Sequence, residues 1–109
     1  MSALTPISGS AGHFQLAGDL SFATVPQVYL ETDTLFGSPE AALVLDLSRV
    51  ERTDSAGLAL LVEWLRQARR LHKNLHFRAI PEQLLAIAQA SGVEAVLPLS
   101  NHEAQHPPA

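Results

Sequence analysis

The chain has 109 residues, enough for one compact domain with its own core and too few for two. At 47% hydrophobic and 17% charged it has the composition of a globular protein, and with no cysteine it can form no disulfide and do no thiol chemistry. A formal charge of −4 argues against nucleic-acid binding, which needs clustered Lys and Arg, whereas Arg66, Arg69 and Arg70 are spread around a helix among Leu and Glu.

Residues 1–12 are small, polar and glycine-bearing, expected to be flexible or to add an edge strand at Thr5-Pro6-Ile7. They lack a basic start and an apolar core, so they do not read as a secretory signal. His13-Phe14-Gln15-Leu16-Ala17 alternates as a half-buried strand does, and Gly18-Asp19 is expected to turn it. Thr24 and Pro26 then start a helix with Val25, Val28, Tyr29, Leu35 and Phe36 on its apolar face, stopped by Gly37-Ser38-Pro39. Residues 41–47 are apolar on both alternating sets apart from Asp46, as in central parallel strands covered on both faces. A charged loop follows, and a second helix is expected over about residues 56–72.

Leu75, Phe77 and Ala79 alternate with His76 and Arg78 in a further strand. Pro81 opens a third helix whose Leu84, Leu85, Ile87 and Ala88 face inward, and Gly92 closes it. Val96-Leu97-Pro98-Leu99 suggests a last short strand that ends a domain spanning residues 13–99. Residues 100–109 are polar, end in Pro107-Pro108-Ala109 and are expected to be disordered. Strands alternating with helices imply an α/β sandwich whose right-handed crossovers lay the helices on the sheet. No apolar stretch approaches the ~20 residues that span a bilayer. The expectation is a soluble cytoplasmic protein that would serve a membrane process only by docking on another protein.

Catalytic patterns are weak. The glycines form neither a dinucleotide fingerprint nor a phosphate-binding loop with its lysine. His13, His72, His76, His102 and His106 show no paired-ligand spacing on one helix face, so neither metal nor other cofactor is expected. Ser55 has Asp54 beside it but no histidine placed for a triad. Asp19, Asp46 and Asp54 could converge at the carboxyl ends of strands, although loop closure or capping explains each one. An enzyme is the weaker reading.

The most informative stretch runs from Val44 to Leu61, where an apolar strand meets a charged loop, then Asp54-Ser55-Ala56-Gly57, then a long helix. Asp and Ser are preferred helix caps, so the pattern is first of all a helix start. It also puts the Ser55 hydroxyl at a helix mouth, where backbone N–H groups lack partners and an acceptor would be welcome. Leu45-Asp46-Leu47-Ser48-Arg49-Val50 followed by Asp54-Ser55-Ala56-Gly57-Leu58, with Leu16-Ala17-Gly18-Asp19-Leu20 upstream, resembles the STAS family (sulfate transporter and anti-sigma factor antagonist). The run at residues 46–61 and Val96-Leu97-Pro98 point to the MlaB-like subgroup, small cytoplasmic subunits of phospholipid-transport ABC complexes.

The resemblance implies a mixed sheet of four to five strands with helices packed on it, and a non-catalytic subunit that binds the transporter's ATPase and, through it, the membrane permease. It makes Ser55 the regulatory position. In MlaB-like proteins that position, usually Thr, belongs to the docking surface; in anti-sigma factor antagonists a partner kinase phosphorylates it. The second reading is therefore a phosphoswitch at Ser55, partnered by a serine kinase and anti-sigma factor. One departure bears on that switch: the family's Gly-Glu-Leu-Asp is Gly18-Asp19-Leu20-Ser21 here.

Residues expected at the partner surface are Arg49, Arg52, Asp54, Ser55, Ala56, Gly57 and Leu58. The second helix adds two more. Leu58, Leu61, Val62, Leu65 and Ala68 form one apolar stripe, and Leu60, Trp64 and Leu71 another, together an arc of roughly 200° against the ~100° a surface helix buries. Either the neighbouring helices cover the excess, or Leu60 and Trp64 stand exposed near Ser55 as interface anchors.

Overall fold

The computed structural model describes residues 3–93. Four strands lie in the order β1 (Leu4–Pro6), β2 (His13–Leu20), β3 (Ala42–Thr53) and β4 (Asn74–Arg78). β1 runs antiparallel to β2, and the other two pairings are parallel, so the sheet is mixed. Between β2 and β3 the chain forms α1 (Val25–Tyr29) and α2 (Thr32–Phe36). α3 (Ser55–Arg70) joins β3 to β4, and α4 (Glu82–Ala90) follows β4.

Alternation explains the layering. Phe14 and Leu16 of β2, Leu43, Leu45 and Leu47 of β3, and Leu75 and Phe77 of β4 are buried in one cluster with the inward residues of all four helices. Their neighbours Gln15, Val44, Asp46 and His76 are only half-buried, so the helices share one face of the sheet. β3 is central and parallel as expected, but it is not covered on both faces.

Three local expectations are corrected. β2 does not turn at Gly18: Gly18 takes φ +95° at an irregularity in the β2–β3 register, and pairing continues to Leu20↔Thr53. That pairing draws residues 48–53, expected as a loop, into a twelve-residue β3. The first expected helix is two short ones. At the break between them the Glu31 carboxylate accepts from the Ala3 and Leu4 N–H groups, at 3.3 and 3.0 Å, and so pins β1.

The two longer helices both end in a Schellman turn, the geometry that returns orphan carbonyls to the backbone. After α4 the turn residue is Gly92 at φ +75°, with Val93 N–H donating to Ala88 O at 3.0 Å. After α3 it is His72 at φ 57°, with Lys73 N–H donating to Ala68 O at 2.8 Å. Lys73 Nζ then donates to the carbonyls of Ser38 and Glu40, both at 2.8 Å, which ties the turn into β4 to the entry of β3. The last expected strand at residues 96–99 and the tail at 100–109 lie outside the described residues.

Candidate functional site

The candidate site is the junction where β3 hands the chain to α3. Asp54 is the N-cap of α3: its backbone is extended, and Oδ1 accepts from Ala56 N–H at 2.9 Å and, weakly, from Gly57 N–H at 3.4 Å. Its other oxygen, Oδ2, accepts from Phe22 N–H at 2.9 Å in the loop after β2. Phe22 N–H above all, with the Ala56 and Gly57 amides against a desolvation penalty, holds the Asp54 carboxyl below the usual carboxylate range.

Because Asp54 does the capping, Ser55 is left as the first helical residue, exposed, and its hydroxyl bonds to no other described residue. Ala56 is half-buried behind it, while Gly57 and Leu58 turn into the core. Gly57 has a steric reason. A Cβ there would overlap the Leu20 carbonyl oxygen and come within 2.7 Å of Thr53 Oγ1. The absence of a side chain lets the first turn of α3 sit directly on the ends of β2 and β3. Thr53 Oγ1, buried in that contact, has no hydrogen-bond partner among the described residues.

Arg49 and Arg52 are exposed, on β3 and not on a loop, and Arg52 N–H donates to Asp19 Oδ1 at 3.3 Å. The three aspartates do not assemble an acidic site. Asp46 Oδ1 accepts from Ser48 N–H at 2.8 Å, Asp19 bonds Arg52, and Asp54 caps α3, so each carboxylate serves the backbone. Among the described residues no group of three metal-ligating side chains forms. A concavity of about 320 Å³ opens beside Ser55 between α3 and the end of α4, lined by Leu58, Ala59, Val62, Ser91 and Val93 among others.

Leu60 and Trp64 do not belong to this surface. They are 3% and 0% exposed, covered by the α1–α2 segment, and Trp64 Nε1 donates to Thr32 Oγ1 at 2.9 Å. The second stripe of α3 is therefore core, apart from Leu71 at its end. The most exposed large apolar side chain among the described residues is Phe22, at 81%, and its backbone N–H is bonded to Asp54, the residue before Ser55. Its sequence signal was the lack of any periodic context: one aromatic among Ser, Ala and Thr, between a strand and a proline-started helix.

The family model described as "Mlab, STAS domain" matches residues 3–98. Among solved structures, the Acinetobacter MlaFEDB complex in an ATP-bound conformation contains a chain 31% identical to this one. That match covers 80% of this chain and 92% of that one, with a TM-score of 0.68. The unphosphorylated anti-sigma factor antagonist SpoIIAA superposes with a TM-score of 0.66 at 18% identity, covering 94% of this chain and 92% of its own. SLC26A9 matches with a TM-score of 0.57 at 16% identity, over 94% of this chain and 23% of that much longer one. At those identities the last two show the fold alone. A comparison with curated proteins returned no match.

Proposed function

The chain belongs to the STAS domain family, in its MlaB-type branch, and from that membership we propose that it is a non-catalytic subunit docking on the ATPase of a phospholipid-transport ABC complex. The observation that carries the reading is the Ser55 hydroxyl. It is exposed at the first position of a sixteen-residue helix and is released from capping by Asp54. A small hydroxyl beside a helix N-terminus can donate to or accept from a partner without bringing in a charge that would have to be desolvated. Arg49 and Arg52, exposed on β3, extend the polar part of that surface.

STAS domains of this kind are generally non-catalytic, and the carboxylates of Asp19, Asp46 and Asp54 accept from backbone amides. Among the described residues no helix is long and apolar enough to cross a membrane. In this reading the protein sits at the cytoplasmic face of the inner membrane, held there by the transporter, and supports the assembly or activity of the ATPase.

Co-purification with the ATPase subunit tests the proposal. Ser55→Thr keeps the hydroxyl and should retain the partner. Ser55→Glu places an unpaired charge in the interface, which costs roughly 2–5 kcal/mol, and should lose it. Retention of the ATPase by Ser55→Glu as well as by wild type would remove Ser55 from the interface.

A phosphoswitch reading draws on the same exposed hydroxyl, which bonds to no other described residue and is equally open to a kinase. Against it stands Ser21 in the position where family members carry a second acid. Here the Ser21 backbone is tied to Thr24, its N–H donating to Thr24 Oγ1 at 2.9 Å. Recovery of a serine kinase or anti-sigma factor in place of the ATPase would select this second function.

A further inference from the structure

The loop that carries Phe22 is held by hydrogen bonds on both sides. Thr24 Oγ1 donates to Asp19 O at 2.8 Å, Ser21 N–H donates to Thr24 Oγ1 at 2.9 Å, and Thr24 N–H returns to Ser21 O at 2.9 Å. From the far side Asp54 Oδ2 accepts the Phe22 N–H at 2.9 Å, across 32 positions of sequence. Yet the ring itself is 81% exposed, while Trp64, Phe77 and nine leucines are fully buried. Burying such a ring stabilises a fold, so its exposure forgoes stabilisation that the other large apolar side chains supply. Because its backbone is already hydrogen-bonded, the ordering cost when a partner covers it falls mainly on the rotamers of the ring itself.

We propose that Phe22 is the aromatic anchor of the docking surface, inserted into an apolar pocket of the ATPase subunit, and that Asp54 is its positioning residue. One carboxylate receives the first amides of α3 through Oδ1 and the Phe22 amide through Oδ2, so the backbone that carries the Phe22 ring is tied to the residue that precedes Ser55. The inference rests on the docking reading and deepens it. Continuity with the Ser55 surface commits the ring to the same partner, and aromatic residues on ordered backbone are the usual energetic centres of such interfaces.

The test uses the full chain and the ATPase subunit of the same organism's Mla-type transporter. Phe22→Ala should weaken binding about thirtyfold without lowering the melting temperature, and Phe22→Trp should restore most of the affinity. Asp54→Asn leaves a single side-chain acceptor oxygen for two sites. It should speed hydrogen exchange at the Phe22 amide, and its binding loss and that of Phe22→Ala should be less than additive in a double-mutant cycle. Wild-type affinity of Phe22→Ala, with Ser55→Glu inactive, overturns the anchor and leaves docking at Ser55 intact. Wild-type affinity of both variants overturns the docking reading itself. Loss of self-association in Phe22→Ala with unchanged ATPase binding also overturns the proposal, because the ring would then serve a second copy of this chain.

Discussion

The Trp64 indole N–H and the Thr32 hydroxyl meet at 2.9 Å, joining the middle of α3 to the first residue of α2. Thr32 Oγ1 in turn donates to Tyr29 O at 2.6 Å, so one hydroxyl closes the break between α1 and α2 and receives the indole. Trp64→Ala should therefore cost about 3–5 kcal/mol of stability, as large aromatic truncations in cores do. Urea unfolding checks this. A variant of near wild-type stability that bound the ATPase poorly would put Trp64 back at the interface.

Gly57→Ala sets two opposing effects against each other. Helix propensity favours alanine by about 1 kcal/mol. The added Cβ, however, meets the Leu20 carbonyl and Thr53 Oγ1, neither of which is the free end of a flexible chain. Overpacking of that kind costs about 1–3 kcal/mol, so the net effect should be destabilising. A higher urea midpoint for Gly57→Ala would show that the junction yields.

Asp54 makes stability depend on acid. Its carboxyl is held below its ordinary value in the folded protein, first by the Phe22 amide, so the folded state favours the charged form. That contribution is complete above the unfolded carboxyl value and is lost as pH falls through the lower folded value. Wild type should thus lose stability more steeply than Asp54→Asn below about pH 4. Parallel stability curves for the two proteins in that range would contradict the bonding pattern.

Ser55→Glu should fold normally, which is what makes its binding defect interpretable. A carboxylate in the first turn of a helix gains about 0.3–1 kcal/mol from the helix dipole, and repulsion from Asp54 offsets part of that gain. The residue is exposed, so the net change should stay within about 0.5 kcal/mol. Thermal unfolding of the isolated domain measures it, and a large drop in melting temperature would mean that Ser55 packs against something.

Much of the architecture was readable along the chain because it depends on local regularities. The alternation around Phe14 and Leu16 required a strand with one buried face. The stripe of Leu58, Leu61 and Ala68 required a helix lying on a sheet. Asp54 ahead of Ser55 and Gly57 required a helix start, and the exposure of Ser55 followed from that position. The STAS resemblance was carried by this same stretch.

Tertiary structure decided the rest. Whether Leu60 and Trp64 were core or interface depended on where α1 and α2 came to lie, and the periodicity of α3 holds no information on that. Residues 48–53 became strand because β2 continued past Gly18 and offered a partner as far as Leu20, although their own charge favoured a loop. Phe22 could not be assigned from its neighbours, since it belongs to no periodic pattern. Local sequence determines periodicity and capping, which rest on interactions within a few residues. Exposure of a given apolar side chain is set by segments some thirty residues away, as Asp54 and Trp64 show through their bonds to Phe22 and Thr32.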